Sequence, residues 1–176
     1  MATTSSNKMP LLVDRPLHSF ASLGGSAGLT TASNFNTPNT NLTLLVDCSA
    51  NDGAIIDSIS LISNEASLTS VKVIAFLSVA LSSAAVTPTN TLAVGFATVG
   101  SSLGDRVNMT LPALCVPVPN LASPAATMAA YPSETDKKNT GIYVPSGATL
   151  FVGSSAAITS PSTASRVNVF AQGGFF

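Results

Sequence analysis

Charge is scarce in this chain. Only 9% of its 176 residues are Asp, Glu, Lys or Arg, and seven basic against eight acidic residues leave a formal net charge of −1. An average soluble domain carries roughly a quarter of its residues charged. With no basic stripe there is little to neutralise phosphates, and the only basic pair, Lys137-Lys138, has no aromatic residue interleaved with it. Nucleic acid is therefore not an expected partner. Long apolar runs are missing too. The most apolar stretch, residues 71–81, is shorter than a bilayer span of roughly 18 residues and is interrupted by Lys72 and Ser78, so no membrane partner is expected. Residues 1–8 lack the basic and apolar regions of a secretory signal, which leads us to expect synthesis and first folding in a cytoplasm.

Reactive side chains are equally sparse. His18 is the one histidine, and it sits where nothing predicts the oriented setting that a Ser-His-Asp arrangement needs. The carboxylates (Asp47, Asp52, Asp57, Glu65, Asp105, Glu134, Asp136) are scattered, without the spacing of a paired acid and base or of a calcium loop. Gly24-Gly25-Ser26-Ala27-Gly28 is not followed by the Lys-Ser/Thr of a phosphate loop. Cys48 and Cys115 form no Cys-x-x-Cys motif, have no neighbouring histidine, and are expected to be reduced and buried. We therefore assign no catalytic, cofactor-binding or metal-binding residue, and expect a protein that is not an enzyme and carries no cofactor.

What is present is β-pattern. Asn51-Asp52-Gly53 is a turn signal, followed by Ile55-Ile56-Asp57-Ser58-Ile59-Ser60-Leu61-Ile62, a polar break at Ser63-Asn64-Glu65-Ala66-Ser67, and Leu68-Thr69-Ser70-Val71-Lys72-Val73-Ile74-Ala75-Phe76-Leu77. Two β-branched runs so divided predict a hairpin. In the second run Val71, Val73, Ala75 and Leu77 share one wholly apolar face. In the first, Ile59 and Leu61 share a parity that Ile56 does not, which predicts a bulge near Asp57. Leu92, Val94 and Phe96 share a parity in another strand. Ile142 to Gly153 reads as strand, Pro-Ser-Gly turn, strand, and Arg166 to Ala171 as a last strand before Gly173-Gly174 bends the backbone. Seven or eight strands without a persuasive helix predict an all-β, antiparallel two-sheet sandwich.

Two segments stand apart. Residues 1–40 are rich in Ser, Thr, Asn and Gly, with short apolar islands. They read either as a loosely attached tail or as an extended arm, and residues 41–176 then form the sandwich domain. As an arm the segment would hold a neighbouring subunit through Leu11, Leu12, Val13, Leu17 and Phe20. Residues 117–140 are a long loop punctuated by prolines, with Tyr131, Lys137 and Lys138 as candidate partner contacts. Low charge itself has two readings: an exposed surface prone to association, or a surface covered by copies or by a larger assembly.

Gly53 to Ile62, then Val71 to Phe76, resembles the first strands of small structural proteins of tailed bacteriophages, cyanophages included. Val144-Pro145-Ser146-Gly147-Ala148-Thr149-Leu150 and Val167-Asn168-Val169-Phe170-Ala171-Gln172-Gly173-Gly174-Phe175 are similar to that family's closing strands. The resemblance covers residues 40–176. It implies a jelly-roll-like sandwich on the virion exterior: a capsid cement, or decoration, protein seated as a homotrimer on the major capsid protein. Two alternatives stay open. One is a neck, tail or fibre component, and the other a carbohydrate-binding module, which would ordinarily offer aromatic platforms; here tryptophan is absent and the tyrosines are Tyr131 and Tyr143.

Overall fold

The computed structural model describes residues 14–24, 42–65, 71–87, 89–109, 111, 116–117, 141–158 and 166–176. Among them run ten strands: β1 (Arg15–Leu23), β2 (Thr43–Asp47), β3 (Gly53–Ser63), β4 (Val71–Ser78), β5 (Thr91–Val99), β6 (Arg106–Asn108), β7 (Val116–Pro117), β8 (Ile142–Pro145), β9 (Thr149–Ser154) and β10 (Val167–Phe175). The one helical element described is a 3-10 turn at Ser83–Ala85. Sheet A has the order β1-β10-β3-β6, with β8 also pairing β3, and sheet B has the order β2-β9-β4-β5-β7. Every pairing is antiparallel.

The predicted two-sheet sandwich is what forms, and its strand order is that of a jelly roll. The chain alternates sheets from β1 through β4, and β9 and β10 then insert between strands laid down earlier. This alternation corrects one expectation. β3 and β4 are not a hairpin, because β3 belongs to sheet A and β4 to sheet B. The polar break at residues 63–65 leads into a crossing between layers, and both runs bury apolar residues in the space between the sheets. The Pro145-Ser146-Gly147 turn likewise joins β8 in one sheet to β9 in the other, with Gly147 at φ +77°.

The expected arm also needs correction. Arg15–Leu23 is a full strand, the edge of sheet A, paired residue for residue with β10 from Arg15↔Phe175 to Leu23↔Val167. The sandwich therefore begins at Arg15, not at residue 41. Leu17, Ala21 and Leu23 point inward, with His18, Phe20 and Ser22 outward. The inward set was hard to read because Ser19 interrupts it and Ala21 is small. Leu17, expected as a contact of the arm, is only 1% exposed and belongs to this chain's own core. Leu11, Leu12 and Val13, and the 117–140 loop beyond Pro117, lie outside the described residues. Pro117 itself is at the edge of sheet B, where a missing N–H costs least.

Three irregularities set which side chains face the core. Gln172 pairs with Ser58 and Gly173 with Ile56, so Asp57 is an extra residue in β3: the predicted bulge. It lets Ala54 and Ile56 on one side of the slip, and Ile59 and Leu61 on the other, all enter the core. In β5 the register skips Val94, which places Val94 in the core and turns Phe96 to the opposite face. The common parity expected for Leu92, Val94 and Phe96 fails at that bulge. In β2 the register skips Leu45, whose carbonyl accepts a hydrogen bond from the Ser19 hydroxyl of β1, joining the edges of the two sheets. Gly173 and Gly174 do not bend the chain away. Both remain in β10, and a Cβ on Gly173 would overlap the Ile55 carbonyl oxygen. The bulge in β3 thus demands glycine opposite it.

Candidate interaction surface

The two sheets treat their outer faces differently. On sheet B, Ile74 and Phe76 of β4, Ala93 of β5 and Phe151 of β9 are buried in a second apolar cluster together with Leu42, Ala80 and Val86. Ala80 and Val86 come from the β4–β5 connection, which folds back onto the face. Polar side chains clamp that connection. Ser78 Oγ accepts from the Ala80 N–H at 3.0 Å, Thr149 Oγ1 donates to the Ala80 carbonyl at 2.6 Å, and Ser78 Oγ and Thr91 Oγ1 lie 2.8 Å apart. Asn90 Nδ2 donates to the Ala85 carbonyl at 2.9 Å, and Asn90 Oδ1 accepts from the Thr87 N–H at 2.8 Å. These bonds satisfy polar groups that the covering would otherwise bury unpaired. At the rim of the same face, Lys72 Nζ lies 5.3 Å from the centroid of the Phe96 ring.

Among the described residues, no segment covers the outer face of sheet A. The strand registers align Ser22, Asn168, Ile62 and Arg106 in one row across β1, β10, β3 and β6. The next row is Phe20, Phe170, Ser60 and Asn108, and then come His18, Gln172 and Ser58. A last row carries Pro16, Gly174, Ile55 and Tyr143 of β8. Phe20 is 56% exposed, Tyr143 51% and Phe170 37%. The Phe20 and Phe170 rings pack against each other with centroids 5.1 Å apart and planes tilted by 52°. Around them Ser22 Oγ donates to Asn168 Oδ1 at 3.2 Å, Ser60 Oγ to Asn108 Oδ1 at 2.8 Å, and Arg106 Nη2 reaches Ser60 Oγ at 3.4 Å. At the β8 end Tyr143 and Phe176 lie 6.1 Å apart, and Arg15 sits 5.4 Å over the Phe175 ring.

Of the candidate partner contacts named from sequence, Phe20 is the one among the described residues that lies on this open face. Tyr131, Lys137 and Lys138 lie outside the described residues. Phe170 and Arg106 were missed, and Tyr143 was named only as a tyrosine that a carbohydrate platform would need. A signal for Phe170 existed: Val167, Val169 and Ala171 point inward, so the residue between them had to point out.

Asp47, exposed at the end of β2, is held below the ordinary carboxylate range by the Ser49 hydroxyl and by the Ser49 N–H, which donates to Asp47 Oδ1 at 2.8 Å. Burial, with the neighbouring Asp47 charge second, pushes the Cys48 thiol up to about 11, so at neutral pH it is a protonated core residue. Among the described residues no three of His, Cys, Asp and Glu come together as a metal-binding group. What the arrangement offers is a flat, weakly charged face with an aromatic centre. Comparison with protein-family models, with curated proteins and with solved structures gives no match to this chain.

Proposed function

We propose that this chain is a virion structural protein, a capsid cement or decoration protein that stabilises the shell built by the major capsid protein. The observation that carries the reading is the contrast between the outer faces. Among the described residues, one sheet is covered by the chain's own β4–β5 connection and the other is left open, with exposed aromatic rings and few charges. A face of that kind suits contact with neighbouring protein, where interface centres are depleted of charge and enriched in aromatic residues. The jelly-roll order agrees with the reading without selecting it, since lectins and cupins share the architecture with capsid proteins. The resemblance in the opening and closing strands directs the choice toward the capsid.

Copies per particle test the proposal. Quantitative mass spectrometry of purified virions should find this chain in hundreds of copies. A dozen or fewer would move it to the neck, tail or a fibre, and none at all would remove it from the virion. Deletion of residues 1–13, stopping short of the Asp14 N–H that bonds the Phe175 carbonyl at 2.8 Å, is the truncation that tests an arm without taking away β1.

A further inference from the structure

We infer that the outer face of sheet A packs against the same face of a second copy, across a two-fold axis lying along the Phe20–Phe170–Ser60–Asn108 row. The inference does not rest on the virion assignment; it makes a second copy the neighbour that covers this face, and gives a two-chain unit where the resemblance implies three.

The argument rests on how the few charges are placed. Ile56 and Ile59 both face the core, so Asp57 and Ser58, between them, both lie on the outer side of β3. Asp57 is exposed there, beyond the Ser58 row. Arg106 is exposed on the opposite side of the aromatic row, opposite Ile62. A two-fold axis along the aromatic row exchanges these two sides. In projection it sets Arg106 of each copy about one strand spacing, roughly 5 Å, to the side of Asp57 on the other, across the gap of about 10 Å between stacked sheets. The arginine and aspartate side chains, each extending into the gap, together cover that separation. The same operation sets Gln172 of one copy over Asn168 of the other, amide against amide. It brings the Phe20–Phe170 pairs together at the centre. An isologous contact needs a surface complementary to itself, and one acid and one base on opposite sides of the axis provide that.

Shape and size agree. Two sheets stack face to face with their strands within about 30° and about 10 Å apart, a gap that phenylalanine rings fill. Four strand columns by nine residues give a footprint of about 500 Å² per copy, or about 1,000 Å² in total. Stable interfaces begin near 1,200 Å², so the pairing belongs at the weak end of specific association.

Sedimentation equilibrium of the full chain over a wide concentration range reads this directly. The mass should rise from 17.7 kDa toward twice that value. Arg106→Glu and Asp57→Arg, each placing like charges across the axis, should weaken self-association by about tenfold. The double variant, with both charges reversed, should recover most of that loss. Unchanged thermal unfolding confirms that each variant is folded. A chain that stays monomeric throughout, a three-chain mass, pairing unaffected by either single reversal, or a double variant as weak as the singles would each overturn the inference.

Discussion

The outer faces of the two sheets differ more than the sheets do. On sheet B, Phe76 and Phe151 lie beneath the chain's own β4–β5 connection, within a cluster as dry as the space between the layers. On sheet A, Phe20 and Phe170 occupy a comparable place and stay in the open. The same residue type therefore serves stability on one side and contact on the other. What separates the roles is whether a clamped loop folds over the ring. Low charge means different things on the two sides for the same reason. Beneath the loop it avoids burying ions, and on the open face it leaves a surface that a neighbour can cover at little desolvation cost.

The largest effect should come from Gly173→Val. The new Cβ meets the Ile55 carbonyl oxygen, backbone that cannot swing aside, so the register that builds the open face is lost and we expect no cooperatively unfolding protein by calorimetry. Phe76→Ala should cost about 3–5 kcal/mol in urea unfolding, as for a fully buried ring whose neighbours relax only in part. Thr149→Val removes the hydroxyl that donates to the Ala80 carbonyl and should cost about 1–3 kcal/mol, with faster amide exchange confined to residues 79–90. Phe20→Ala should change unfolding stability by only about 0.5 kcal/mol while weakening self-association; a loss as large as that of Phe76→Ala would end the contrast between the faces. The smallest effect concerns pH. Asp47 has a lowered pKa when folded, so its contribution is present above the unfolded value of about 3.8 and disappears as pH falls through the folded value. Asp47→Asn should flatten the melting temperature slightly across that acidic range, and an unchanged profile would mean that the Ser49 contacts do not hold the carboxylate.

Strands with strict alternation were readable in advance. The β8–β9 turn was set by Pro145 and Gly147, and the bulge by the parity slip between Ile56 and Ile59. Sheet membership was not readable, because β3 and β4 have the pattern of a hairpin and only the pairing of β3 with β10, more than a hundred residues on, assigns it to sheet A. The strand at Arg15–Leu23 was obscured by Ser19 and Ala21 at inward positions. The bulge at Val94 left no trace, since Leu92, Val94 and Phe96 alternate regularly until a skipped partner turns Phe96 over. As for the open face, Phe20 was visible as an exposed apolar residue, but its neighbours come from β3, β6 and β10. A face assembled from distant strands exists only once the topology does.

The position of β10 has a consequence for how the protein is made. β1 and one edge of β3 are both ready early in translation, yet the strand that joins them is residues 167–175, so sheet A cannot close until those residues clear the ribosomal tunnel. Until then β1 waits with an open backbone edge in a crowded cell, where loop closure over some 150 residues is slow. The longer residues 167–175 take to follow β1, the more time a neighbouring nascent chain has to supply the missing strand.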